Sequence, residues 1–135
     1  MSTGEFAIRD AAALLGVSDD TVRRWAEAGR IRLTRSPSGR LVVPGADLAA
    51  LAQELATEPR DWPSAPASAR NRLPGIVTKV IRDTVMAQVE MQAGPFRVVS
   101  LMSREAADEL RLEPGTVAVA AVKSTHVVVE LPDQR

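Results

Sequence analysis

The stretch IRDAAALLGVSDDTVRRWAEAGRI, residues 8–31, carries the signals of two short helices separated by a glycine. Ser18 is a favoured helix N-cap, and Asp19 and Asp20 follow in the first turn, where the helix dipole stabilises carboxylates. Gly29 stands where a helix commonly stops. Two short helices joined by a three- to four-residue turn form a helix-turn-helix, and its second helix enters the major groove of DNA. This stretch therefore predicts a DNA-reading element.

The second helix has one side that fits a core and one that fits a ligand. Val22 and Trp25 are three residues apart and can face the core, which leaves Thr21, Arg23 and Arg24 to project outward. The following segment, RIRLTRSPSGRLVVP, has a turn cluster between two short aliphatic runs and predicts a β-hairpin, or wing.

Basic residues concentrate on this helix and wing. Between residues 21 and 43 there are six arginines against one acid, a local balance of +5 in a protein whose 17 basic and 17 acidic residues cancel: Arg23, Arg24, Arg30, Arg32, Arg35 and Arg40, against Glu27. Such a patch suits phosphate contacts and predicts salt-dependent binding. The alternative is a solvated arginine face without a ligand.

The first 55 residues resemble the winged helix-turn-helix domain of MerR-like regulators and phage excisionases, through residues 12–31, the wing, and LVVPGADLAALAQEL. The resemblance implies that Thr21, Arg23 and Arg24 meet the major groove. It implies that Arg35 and Arg40 meet the DNA backbone or minor groove. MerR proteins continue into a long dimerising helix, whereas this chain continues into a proline-rich segment, so dimerisation must come from elsewhere.

The chain changes its periodicity near residue 60. Helical spacing of Leu48, Leu51 and Leu55 gives way, after ATEPRDWPSAPAS, to runs with strand character. We therefore predict an α+β protein of two domains, 1–55 and 68–135, with a linker at 56–67.

The C-terminal half predicts five strands and one helix. Strand-like runs are IVTKVIRD, VMAQVEM, FRVVSLM, TVAVAAV and HVVVEL. Ser103 is a helix N-cap, Glu105 lies in the first turn, and Pro114 with Gly115 ends the helix. Several short strands with one small helix indicate a five-stranded β-barrel of the OB type.

SARNRLPG, residues 68–75, and VAAVKSTHVVVE, residues 119–130, make this half resemble the Mop domain, also called molbindin or the molybdenum-binding TOBE domain. The resemblance implies a barrel that pairs with another copy, as a dimer or as a hexamer built from dimers. It also implies that molybdate or tungstate binds at the subunit interfaces.

Molybdate is a tetrahedral dianion that only accepts hydrogen bonds, so its site needs hydroxyls, N–H groups and cations. The residues that supply these groups in the resembling motifs are Ser68, Arg70, Asn71, Ser103, Lys123 and Ser124. The resemblance assigns Ser68 and Arg70 to one subunit and Ser103, Lys123 and Ser124 to its neighbour. The family often has a second hydroxyl at the position of Ala106, so this chain departs from the pattern there.

Composition argues against several other classes of protein. The chain has no Cys and one His, which argues against a metal-cation site, and no nucleophile with a base or paired carboxylates is evident, so we predict no enzymatic activity. No apolar run reaches membrane-spanning length and no signal peptide is readable, so we expect a cytoplasmic protein without a membrane partner.

Together the two halves predict a one-component transcriptional regulator that binds double-stranded DNA and senses molybdate or tungstate. The alternative is an oxyanion storage or buffering protein whose N-terminal domain docks weakly to DNA or to a protein.

Overall fold

The computed structural model describes residues 4–56 and 66–133, which fall mainly into two compact units. Each unit has its own hydrophobic core, and the chain has the predicted α+β class. The greater part of the predicted linker, residues 57–65, lies outside the described residues. Within the described ranges no helix is long and apolar enough to cross a membrane.

The N-terminal unit consists of three helices and a small antiparallel sheet. The helices are α1 (Ile8–Leu15), α2 (Asp19–Glu27) and α3 (Gly45–Leu55). The strands are β1 (Glu5–Ala7), β2 (Thr34–Arg35) and β3 (Leu41–Pro44), in the order β1-β3-β2.

The predicted signals for α2 are confirmed. The Ser18 hydroxyl accepts a hydrogen bond from the backbone N–H of Thr21 at 3.1 Å and caps the helix. After the helix, the Arg30 N–H donates to the Trp25 carbonyl at 2.8 Å, while Gly29 has a φ of +74°. A left-handed glycine at this place stops the helix without steric cost.

The core of this unit fixes which side of α2 is free. Val22 is fully buried and Trp25 packs against the same cluster, together with Ile8, Val43 and Leu48. Because the core takes these two side chains of α2, Arg23 and Arg24 remain exposed, as predicted.

The C-terminal unit is a curled antiparallel sheet with one short helix. Its strands are β4 (Asn71–Arg82), β5 (Met86–Ala93), β6 (Phe96–Ser103) and β7 (Val117–Val122), and their order is β6-β5-β4-β7. Its core contains Val77, Val89, Met91 and Leu112, with smaller side chains of β7 packed against them.

Strand β4 is longer than predicted and starts at Asn71 rather than Ile76. Its first half pairs with β7, from Asn71 opposite Val122 to Ile76 opposite Val117, and its second half pairs with β5. At Gly75 a Cβ atom would lie 2.3 Å from the Gln92 carbonyl oxygen. Only glycine permits this close approach of β4 to β5.

The turn between β4 and β5 is held by a carboxylate. Asp83 accepts hydrogen bonds from the N–H groups of Met86 and Val85, at 2.7 and 2.8 Å. These two bonds, chiefly the one from Met86, lower the pKa of Asp83.

Two predictions for this unit differ from the structure. Helix α4 spans Arg104–Glu109 and so ends before Pro114, because the chain turns at Arg111, which has a φ of +52°. The segment HVVVEL forms no strand: His126 ends a short 3₁₀ turn (Ser124–His126), and residues 127–131 are unpaired. Among the described residues the sheet of this unit therefore has four strands, not five.

Candidate functional site

The N-terminal unit has an arginine-lined concavity between helix α2 and the wing formed by β2 and β3. Its volume is about 470 Å³, and it is open to solvent. Arg23 of α2 lines it together with Arg35 and Arg40 of the wing. The structure therefore brings together three of the five predicted DNA contacts.

Hydrogen bonds shape the wing that carries two of these arginines. The Arg35 guanidinium donates to the Gly39 carbonyl at 2.7 Å, and the Ser36 N–H donates to the Arg40 carbonyl at 2.8 Å. Gly39 has a φ of +84°, which the tight turn requires. The wing thus presents Arg40 on a hairpin of defined geometry.

Thr21 and Arg24 do not line the concavity. The Arg24 guanidinium donates to the Thr21 hydroxyl at 3.2 Å, and that hydroxyl also lies 2.9 Å from the Ser18 hydroxyl. These side chains form a polar row along α2, in which Arg24 is exposed and Thr21 is half-buried.

Two of the six arginines in the basic stretch have other partners. The Arg30 guanidinium lies 5.3 Å from the ring centroid of Trp25, in a cation–π contact. Arg32 forms an ion pair with Asp47 at 3.1 Å. Fewer arginines therefore point to one surface than the six in the basic stretch suggest.

Sequence reasoning missed Arg9, which also lines the concavity from helix α1. Arg9 precedes the basic stretch of residues 21–43, and nothing in the local sequence of α1 shows that the first turn of this helix lies beside the wing. Asp19 contributes the one carboxylate of the lining, four residues before Arg23.

In the C-terminal unit, β-sheet pairing brings most of the predicted oxyanion residues to one end of the sheet. Asn71 lies opposite Val122, and its side-chain amide donates to the Val122 carbonyl at 3.1 Å. The segment with Ser68 and Arg70 enters the sheet there, and the segment with Lys123 and Ser124 leaves it. The resemblance had placed these two segments on different subunits, but one chain brings them together.

The groups at this end of the sheet suit an anion. The side chains of Ser68, Arg70, Lys123 and Ser124 are exposed, and neither cation forms an ion pair with another described residue. Asn71 uses one of its two amide protons for Val122, which leaves the other free to donate.

Ser103 lies apart from this cluster. It pairs with Met86 near the end of β4 at Arg82, whereas Asn71 begins the same twelve-residue strand. Its hydroxyl oxygen accepts from the Ala106 N–H at 3.1 Å, so it caps α4 as predicted. Within one chain Ser103 does not share a site with Arg70 and Lys123.

The described residues contain no group of three or more His, Asp or Glu side chains that is placed to hold a metal ion. His126, the first residue of the predicted strand HVVVEL, is instead exposed at the end of the 3₁₀ turn.

Comparison with known proteins identifies both units. The TOBE domain profile matches residues 67–129, and a helix-turn-helix domain profile matches residues 6–56. Molybdenum-pterin-binding protein 3 of Clostridium pasteurianum is 38% identical over 63 residues, which are 46% of this chain and 93% of that protein.

Two solved structures are similar. A molybdate-binding protein from Sporomusa ovata is 30% identical, with a TM-score of 0.48, over 50% of this chain and all of that one. The cytoplasmic molybdate-binding protein ModG is 27% identical, with a TM-score of 0.48, over 67% of this chain and 74% of that one. The molybdenum-pterin-binding protein is named for a binding function, in agreement with the prediction of no enzymatic activity. The chain belongs to the TOBE-domain family, to which the molybdenum-pterin-binding proteins also belong, and carries an excisionase-like helix-turn-helix domain at its N-terminus.

Proposed function

We propose that the protein is a DNA-binding transcriptional regulator that responds to molybdate or tungstate. Residues 1–55 would read DNA, and residues 68–135 would bind the oxyanion in an assembly of dimers or hexamers. The main support for the proposal is that one chain combines a basic surface suited to DNA phosphates with a cluster of groups suited to a small anion. One unit has an arginine-lined concavity between α2 and the wing, and the other unit has cations, hydroxyls and an amide at one end of its sheet.

The relatives support the oxyanion half of the proposal. The molybdenum-pterin-binding protein and the molybdate-binding proteins correspond to the unit that holds Arg70 and Lys123. Since ModG is described as cytoplasmic, we also propose that this protein acts in the cytoplasm.

Calorimetry with molybdate, tungstate and sulfate tests the oxyanion site. We expect the wild-type chain to bind molybdate and tungstate, and Arg70→Ala and Lys123→Ala to lose at least about tenfold in affinity. A hydrogen bond to a charged group contributes roughly 1.5–3 kcal/mol, and about 1.4 kcal/mol corresponds to tenfold.

Lys79→Ala is the matched control, because it removes an exposed cation from the middle of β4, away from Asn71. Its molybdate affinity should equal that of the wild type. A wild-type chain that binds no oxyanion would contradict the central proposal. Tight molybdate binding with no sequence-specific or oxyanion-dependent DNA binding would instead favour a storage protein.

A further inference from the structure

Helix α2 carries two adjacent arginines that lie in different surroundings. An α-helix turns about 100° per residue, so Arg24 lies about 200° from Val22, nearly opposite that buried side chain. Arg23 lies only one residue from Val22 and lines the concavity together with Arg35 and Arg40 of the wing, whereas Arg24 does not line it. The two arginines are therefore placed for different contacts with a DNA duplex that lies against α2.

The Arg24 guanidinium is held by a row of hydrogen bonds along α2. It donates to the Thr21 hydroxyl at 3.2 Å, and that hydroxyl lies 2.9 Å from the Ser18 hydroxyl. The Ser18 oxygen in turn accepts from the Thr21 N–H at 3.1 Å, so the row ends at the N-cap of the helix. Arg24 forms no ion pair with a described residue, which leaves its other guanidinium N–H groups available to a ligand.

Arg23 has no comparable support. Its guanidinium forms neither a hydrogen bond nor an ion pair within the described ranges of the chain, and it shares the concavity with Arg9, Arg35 and Arg40. Arg23 and Arg24 each follow an aspartate by four residues, so the difference between them comes from the other arginines. An unrestrained guanidinium among other cations suits phosphate oxygens, which carry charge but no sequence information.

A base edge requires a more exact geometry of an arginine than a phosphate does. Arginine recognises guanine through two hydrogen bonds, to O6 and N7, so the planar guanidinium must face the base edge in one orientation. A side chain that is already held in place loses less rotamer entropy when it binds. In helix-turn-helix proteins the N-terminal residues of the second helix contact base edges, and the row from Ser18 to Arg24 directs the guanidinium toward that end of α2.

We propose that Arg24 is a specificity-determining residue that reads a guanine in the major groove, and that Thr21 is a positioning residue that holds its guanidinium. Arg23 contacts phosphate and adds affinity without sequence preference. This inference rests on the proposed DNA binding. It gives three separate roles to residues that the family resemblance assigns together to the major groove.

Measured base preference tests the role of Arg24. Selection from a pool of random-sequence DNA duplexes with the full wild-type chain identifies its preferred site, and duplexes with each base pair of that site replaced in turn are titrated by fluorescence anisotropy. We expect at least one G·C pair whose replacement weakens wild-type binding about 5- to 150-fold, the range for a bidentate arginine–guanine contact. Arg24→Ala and Arg24→Lys should bind all four base pairs at that position equally well.

Substitutions of Thr21 test its positioning role. Thr21→Val keeps the branched shape but removes the hydroxyl to which Arg24 donates, so it should reduce the preference at the same base pair. Thr21→Ser retains a hydroxyl and should restore the preference. The preference is a ratio of two affinities measured on one variant, so incomplete folding lowers both affinities and leaves the ratio unchanged. Loss of the ratio therefore reports the contact with the base rather than stability.

Arg23→Ala is the matched control, because it removes the neighbouring exposed arginine of the same helix. It should weaken binding to every duplex and keep the preference for the G·C pair. If Arg24→Ala keeps the wild-type preference at every position, or Arg23→Ala loses it, the role assigned to Arg24 is wrong. An unchanged preference in Thr21→Val would overturn the role assigned to Thr21. A wild-type chain that enriches no sequence from the pool would contradict sequence-specific DNA binding itself, so failure of the proposed function is distinguishable from failure of these assignments.

Discussion

Ser103 combines a structural and a proposed chemical task that substitution can separate. Its oxygen accepts the Ala106 N–H and caps α4, while its hydroxyl proton is the donor that the family resemblance assigns to an oxyanion bound between two copies of the chain. Aspartate caps a helix as well as serine does but has no proton to donate at neutral pH.

We therefore expect Ser103→Ala to lower the free energy of unfolding by about 1 kcal/mol and Ser103→Asp to leave it nearly unchanged. Both variants should bind molybdate more weakly, and the aspartate should be worse because it repels the dianion. Urea unfolding and calorimetry measure the two effects.

The same pair of substitutions at Ser18, the N-cap of α2, is the control. Ser18→Ala should lower the free energy of unfolding by about 1 kcal/mol and Ser18→Asp should leave it nearly unchanged. Neither variant should change the affinity for molybdate. If Ser103→Asp binds molybdate as the wild type does, Ser103 is an N-cap and nothing more.

For single residues, the sequence predicted which side chains cap helices better than it predicted which residues contact one another across the chain. Ser18 and Ser103 are caps because the signal is local, within three residues along the chain. The bond from Asn71 to Val122 joins residues 51 apart, so no local pattern could have revealed it. Arg9 was missed for the same reason, since its neighbours Arg35 and Arg40 follow much later in the chain.

Helices α1 and α2 and the wing form the arginine-lined concavity together, so no single element accounts for its positive charge. If Arg9 and Arg23 contact phosphates, each substitution by alanine should weaken binding to all DNA sequences. Each should also reduce the slope of log affinity against log salt by about 1. Fluorescence anisotropy with duplex DNA at several salt concentrations measures this slope.

Arg32→Ala is the control for this experiment, because Arg32 pairs with Asp47 and does not line the concavity. Its slope should match that of the wild type. An unchanged slope for Arg9→Ala and Arg23→Ala together would show that DNA does not occupy the concavity.

The elements themselves were largely predictable where the period and the caps were strong. Helix α2, the wing and the first strands of the sheet follow from local pattern. The three-residue strand β1 was not predicted, because it exists only through pairing with β3. The fifth strand of the barrel was predicted from the β-propensity of residues 127–131, but a strand also needs a partner strand, and in the structure these residues pair with none.

For the molecule as a whole, the proposal requires that the oxyanion bind the DNA-competent and DNA-incompetent arrangements differently. Coupling energies between sites are typically 1–3 kcal/mol, or about 5- to 150-fold. We expect saturating molybdate to change the affinity for a specific DNA site at least about fivefold.

Arg70→Ala should bind that DNA site but lose the response to molybdate. Anisotropy titrations with and without molybdate compare the two proteins. A wild-type DNA affinity that is identical in both conditions would contradict the regulatory function while leaving oxyanion binding intact.

Strand β4 has a mechanical consequence for the C-terminal unit. Residues 71–76 of this strand pair with β7 and residues 76–82 pair with β5, so a single strand carries both halves of the sheet. Neither half can open fully without loosening the strand on which the other depends. The unit should therefore unfold in one cooperative transition. A substitution at Asn71 that weakens the pairing with β7 should also destabilise the pairing of β4 with β5, as far as Arg82.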